Sequence, residues 1–135
     1  AYQIGGPLGG IVPSSMLEKL TLDFESFASN GFLLGHAGVV SVPEEFSMPE
    51  LLLHLFDFTS RESCGKCFPC RIGAKRGEEL LAGALREGRK IDRELFDDLL
   101  DTLQLGSLCA LGGGLPLPVR NAMKYFPEEM SKIFN

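Results

Sequence analysis

Residues Glu62–Gly73 read ESCGKCFPCRIG and carry thiols at Cys64, Cys67 and Cys70; the one remaining cysteine, Cys109, stands in GSLCALGGG. Zinc sites usually spread their ligands as two pairs around a single tetrahedral ion. Here three thiols follow one another at two-residue gaps and the fourth comes from far along the chain. That order suits a larger object. A cubane iron–sulfur cluster presents separate iron corners, so each Cys-x2-Cys step can reach a new iron and the remote cysteine can cover the last. In two-cluster ferredoxins the nearby fourth cysteine of such a run serves the other cluster. With a single run in the chain, the spacing favours one four-iron cluster held by Cys64, Cys67, Cys70 and Cys109 over a zinc ion.

The neighbours fit such a loop. Gly65 gives it conformational freedom, and Pro69 stiffens the turn before Cys70 and donates no backbone hydrogen bond. Four thiolates around a core of about +2 leave a total of about −2, and burying that charge needs compensation. Lys66, Arg71, Lys75 and Arg76 are within sequence reach, although Lys75 and Arg76 read better as solvated surface. A helix N-terminus expected near Arg71 adds oriented N–H groups. Phe68, inside the run, is expected to shield the cluster from water. His36 and His54 have no cysteine near them in sequence and read as surface or packed residues. Glu44, Glu45, Glu78 and Glu79 read as solvated charge, and no serine, histidine and acid arrangement points to hydrolysis.

The elements that must position the cysteines are helical. SMPE from Ser47 has the capping-box arrangement, with Glu50 three residues on and Pro49 in the first turn. Leu51, Leu52, Leu55, Phe56 and Phe58 then form an apolar face. A second helix is expected from about Arg71 to Glu87, stopped by Gly88. A third begins at Asp92 as N-cap and buries Leu95, Phe96, Leu99, Leu100 and Leu103. LGSLCALGGG reads as a loop. A last helix from Pro116–Pro118 places Val119, Ala122, Met123 and Phe126 on one side, with a kink or break at Pro127. The sum is a four-helix bundle with the cysteine loops at one end. Before it, GGPLGG reads as a turn, GVVSVP (38–43) as a short buried strand closed by Pro43, and SSMLEKLTLDFESFASNG carries mixed signals that leave it open. The fold class expected is mainly α, with residues 1–44 forming a partial β segment and 45–135 the helical cluster domain.

Composition narrows the function classes. The chain has 135 residues, 44% hydrophobic and 23% charged, enough for one modest core. The net charge of −5 leaves no basic excess to neutralise phosphates, which argues against a nucleic-acid partner. No apolar run approaches the ~20 residues of a bilayer span, and AYQIGGPLGGIVP lacks the basic start and apolar stretch of a signal peptide. These features lead to the expectation of a cytoplasmic protein without direct membrane insertion. The absence of an initiator Met suggests a fragment or a processed chain. Abundant Phe, Leu, Ile and Val argue against a disulfide-stapled scaffold.

ESCGKCFPCRIG followed by SLCALGGGLPLPVRNAMKYF resembles the C-terminal part of the family of NADH-oxidising flavoprotein subunits. That family includes the flavoprotein subunit of respiratory complex I and the diaphorase subunits of NAD(P)-reducing hydrogenases and NAD-dependent formate dehydrogenases. The resemblance covers nearly the whole chain. It implies that 1–44 is the second half of a β-grasp insert and that Cys64, Cys67, Cys70 and Cys109 hold one [4Fe-4S] cluster. By the same resemblance the cluster takes electrons singly from a flavin mononucleotide (FMN) reduced by NADH and passes them to an iron–sulfur centre of a partner, or runs the reverse way. The implied partners are a small iron–sulfur subunit and a larger catalytic subunit, dehydrogenase or hydrogenase. GHAGVV and GGGLPLPVRNA favour the hydrogenase and formate dehydrogenase members over complex I. In the family, FMN and NAD(H) bind a glycine-rich α/β domain that precedes the β-grasp insert, and nothing in these 135 residues corresponds to it. FMN and NAD(H) are therefore expected only in the complete assembly, bound by another part of the same subunit or by another chain. Two other readings stand beside this one: a structural cluster- or zinc-stabilised helical docking module, and a free-standing redox adaptor.

Overall fold

The computed structural model describes all of Ala1–Asn135. The chain starts with a hairpin. β1 (Tyr2–Ile4) and β2 (Gly10–Val12) pair antiparallel, Tyr2 opposite Val12. GGPLGG makes the turn between them, with Gly5 and Gly6 at φ 93° and 94°, a region that residues with a Cβ rarely enter. β3 (Val39–Ser41) joins the free side of β1 with Tyr2 opposite Ser41, giving the order β2-β1-β3. The strand expected at 38–43 is present but not buried: Val39 and Val40 are exposed and only the following Val42 enters the core. As an edge strand, β3 has no element covering it.

The segment left open by its mixed signals divides in two. Ser14–Lys19 is a 3-10 turn, and α1 spans Phe24–Ser29. Asp23 caps α1 by accepting the Ser26 N–H at 2.6 Å. Phe27 on α1 packs with Ile4, Val12, Phe32 and Leu34 into a small core of its own.

The remaining helices are α2 (Met48–Glu62), α3 (Ala74–Glu87), α4 (Arg93–Gly106), α5 (Ala110–Gly114), α6 (Pro116–Tyr125) and α7 (Pro127–Met130). α2, α3, α4 and α6 form the expected bundle around Leu52, Leu55, Phe56, Leu81, Phe96, Leu100, Leu103, Leu115 and Val119. α2 does start after Ser47, but no capping box forms, because the Ser47 side chain caps nothing. The Met48 N–H instead donates to Glu129 Oε2 on α7 at 2.8 Å. Gly77 lets α3 lie close on α2; a Cβ there would overlap the Phe56 ring. Gly88 ends α3 at φ 68°, and the Asp92 carboxylate caps α4 through the Leu95 N–H at 2.9 Å. The stripe of α4 is narrower than the sequence pattern: Phe96, Leu100 and Leu103 are fully buried while Leu95 faces solvent. Phe58 and Phe126 are only partly buried. Pro127 does break the last helix: α6 ends at Tyr125 and Pro127 opens α7.

Asn121, buried on α6, joins the two cores. Its Oδ1 accepts the Ile11 N–H at 3.3 Å and its Nδ2 donates to the Gly31 carbonyl at 3.1 Å. At the other end of the bundle, the Ile91 N–H donates to the Ile133 carbonyl at 2.8 Å and the Asn135 N–H to Ile91 O at 3.1 Å, which fastens the C-terminal segment to the α3–α4 link.

Candidate metal centre

α2 ends at Glu62, and Ser63–Cys67 is irregular. Gly65 sits at φ 77° and its carbonyl accepts Arg71 Nη1 at 3.3 Å, so the loop turns back on the helix that follows it. That helix begins earlier than the sequence predicts. Phe68 is already helical, the Arg71 N–H donates to Cys67 O at 3.0 Å, and Pro69–Gly73 forms one π-helical turn leading into α3. Single π turns inside α-helices are frequent at functional sites. Cys70 thus stands within a helical turn, not in an open loop, and is buried; Cys67 is half-buried, and Cys64 is exposed.

The fourth cysteine arrives by a different route. The expected loop 105–114 is largely helical: α4 runs to Gly106, and ALGGG forms α5 with Cys109 as its N-cap residue. Cys109 is exposed. The two cysteine segments abut. A Cβ on Gly106 would come within 2.9 Å of Pro69 Cγ, and one on Gly112 within 2.7 Å of Cys70 Cβ. The backbone amide of Leu108 is the leading influence that holds the Cys67 thiol below its ordinary range, with the Cys70 amide adding to it, against the opposing effect of burial. All four cysteines are free thiols. No three His, Cys, Asp or Glu side chains converge closely enough to hold a single metal ion.

Two hydroxyls, neither singled out by the sequence pattern, face the same seam. Ser63 Oγ lies 3.4 Å from Cys70 Sγ and accepts the Gly65 N–H at 3.3 Å. Ser107 also favours the Cys67 thiolate. Its geometry falls short of a hydrogen bond, however, and Ser107 Oγ is buried with no hydrogen-bond partner. A thiol held toward its thiolate form by nearby backbone amides and an orphaned buried hydroxyl in the same seam are the features a thiolate-ligated cluster would use. The donor set therefore fits the group that the cysteine spacing implies.

The charged neighbours behave less uniformly. Lys75 pairs with Glu78 at 2.8 Å and Arg76 with Glu79 at 3.3 Å, both on the surface, as expected. Arg71 lies over the Phe68 ring at 4.7 Å. Phe68 is 69% exposed. Lys66, His36 and His54 are exposed.

Residues 50–133 match the family described as the NADH-ubiquinone oxidoreductase-F iron-sulfur binding region. The chain belongs to this family. Members and relatives give the same picture. The NADP-reducing hydrogenase subunit HndC of Solidesulfovibrio fructosivorans is 35% identical over 130 residues, which is 96% of this chain and 26% of that protein. A subunit of the NADH-quinone oxidoreductase of Escherichia coli (strain K12) is 37% identical over 131 residues, 96% of this chain and 29% of that protein. A crystal structure of an NAD+-reducing [NiFe]-hydrogenase in the H2-reduced state superimposes with a TM-score of 0.83 at 26% identity, covering all of this chain and 23% of that one. The chain thus spans about a quarter to a third of the length of the relatives it matches. Identity is about the same to the hydrogenase subunit and to the quinone oxidoreductase subunit, so it lends no weight to the preference for hydrogenase or formate dehydrogenase members. No helix is long and apolar enough to cross a membrane.

Proposed function

We propose that this chain is the electron-relay module of an NAD(P)H-linked oxidoreductase, with Cys64, Cys67, Cys70 and Cys109 as the ligands of one [4Fe-4S] cluster. The observation that carries this reading is the seam itself: the only four thiols of the chain lie on two segments in contact. When bound, the cluster supplies one-electron redox chemistry. The chain's own part is to supply thiolates, fix the two segments against one another and offset charge with N–H and O–H donors. Residues 1–44 are read as the second half of a β-grasp unit and 45–135 as the cluster domain.

FMN and NAD(H) would be bound by another part of the same subunit or by a separate chain. The relay would hand electrons to a small iron–sulfur subunit and a larger catalytic subunit in the cytoplasm. An exposed apolar collar at the cysteine end supports seating against other protein: Phe68 and Ile72 stand about one helical turn apart after Cys67, and Leu105 and Leu108 precede Cys109 at 84% and 79% exposure.

The test is the iron and acid-labile sulfide count of the complete subunit, followed by reduction with dithionite and with NADH in the assembled complex. Four irons, four sulfides and a reversible EPR signal are expected, with both counts lowered in Cys109→Ser. Zinc alone, or iron that never changes oxidation state, would favour the structural docking module instead.

A further inference from the structure

Ser107 Oγ is the one buried side-chain polar atom in the chain without a hydrogen-bond partner. Such groups are rare, because leaving a buried hydroxyl unpaired costs about 1–3 kcal/mol. None of the local tasks open to a serine at this position is performed. Its backbone N–H already closes α4 by donating to Leu103 O, and no side chain caps α5. The hydroxyl sits in the seam between the cysteine segments, where a Cβ on Gly112 would overlap Ser107 Oγ and also touch Cys70 Cβ. The cations expected to offset the charge are engaged elsewhere or in solvent: Lys75 and Arg76 are paired with glutamates, Arg71 reaches Gly65 O, and Lys66 is exposed. Neutral donors are what remains at the sulfurs.

Building on the cluster reading above, we propose that the Ser107 hydroxyl, orphaned in the seam beside Cys70, donates a hydrogen bond to a cysteine sulfur of the loaded centre and raises its reduction potential, making Ser107 a positioning residue for electron transfer. A donor to sulfur favours the state with one more negative charge, so it stabilises the reduced form over the oxidised one. Ser63 plays the lesser part: its oxygen accepts both the Gly65 N–H and the Cys70 S–H.

The experiment compares wild type, Ser107→Ala and Ser107→Thr in the assembled oxidoreductase, by iron and sulfide content and by an EPR-monitored redox titration. A charge-assisted hydrogen bond of about 1.5 kcal/mol corresponds to about a tenfold change in the oxidised-to-reduced ratio, about 59 mV for one electron. Ser107→Ala should shift toward the oxidised form by that factor, and Ser107→Thr, which keeps the hydroxyl, should return it. In heavy water one deuteron coupling to the reduced signal, that of the hydroxyl, should be present in wild type and missing in Ser107→Ala, while couplings from backbone N–D groups remain in both. Because EPR reads only loaded molecules, poor cluster assembly in a variant does not hide the potential. A Ser107→Ala centre at the wild-type potential with every wild-type deuteron coupling intact overturns the proposal while leaving the cluster reading standing. A wild-type subunit without iron and sulfide overturns both.

Discussion

Gly112 lies against Cys70 so closely that a Cβ on the glycine would sit 2.7 Å from the Cys70 Cβ. Contact between the two cysteine segments therefore depends on a residue with no side chain, in the middle of α5. Gly112→Ala should push the segments apart, because the same Cβ would also overlap Ser107 Oγ. Overpacking of this kind costs about 1–3 kcal/mol. The expected result is a subunit with lowered iron and sulfide content and reduced thermal stability. The exposed Gly31, whose Cβ would meet nothing, marks a different constraint, its φ of 80°, and is not a control for space alone. Full cluster content in Gly112→Ala would show that the seam can open without loss.

Asn121 ties the helical bundle to the hairpin and to the end of α1 through the Ile11 N–H and the Gly31 carbonyl. Both partners lose their bond in Asn121→Ala. The expected loss is about 1–3 kcal/mol, the cost of leaving the buried Ile11 N–H unpaired while the exposed Gly31 carbonyl turns to water, read as a lowered midpoint in urea. A change below about 0.5 kcal/mol, the range of ordinary surface substitutions, would mean that water replaces the amide.

Much of the helical part was legible because its signals are local. Asp92 and Gly88 mark their helix ends by side-chain and backbone chemistry that the fold keeps, and the 3.6-residue spacing of Leu52, Leu55 and Phe56 survives into the core. Signals that depend on the rest of the fold did not carry through. Ser47 loses its capping role to Glu129, which lies eighty-one residues beyond Met48. Val39 and Val40 have the composition of a buried strand yet lie on an uncovered edge. The glycines after Cys109 read as a loop, but their lack of Cβ atoms serves close approach within a short helix. The cysteine spacing named the candidate site in advance. Ser107 and Ser63 could not be named, because nothing in the order of residues says where a hydroxyl will point.

The tertiary cap on α2 separates two explanations of that helix start. If the Met48 N–H depends on Glu129, then Glu129→Ala should destabilise the chain by about 0.5–2 kcal/mol, the range of a lost N-cap. Ser47→Ala should stay within about 0.5 kcal/mol of wild type. Chemical denaturation of the two variants checks both. The opposite ranking would restore the capping box read from SMPE.

Asp23 supplies a pH-dependent contribution whose sign can be worked out. The Thr21 hydroxyl, at 2.5 Å, is the main cause that holds its carboxyl below the ordinary value of 3.8, and the Ser26 N–H adds to it. A carboxylate with a depressed folded value stabilises the fold fully above its unfolded value and loses that contribution as pH falls through the folded one. Asp23→Asn keeps an N-cap side chain but cannot titrate. The difference in melting temperature between wild type and Asp23→Asn should therefore be level from pH 7 to about 5 and shrink toward zero in stronger acid. A difference that stays level through pH 2, or grows, would mean that neither Thr21 nor Ser26 favours the charged carboxylate in the fold.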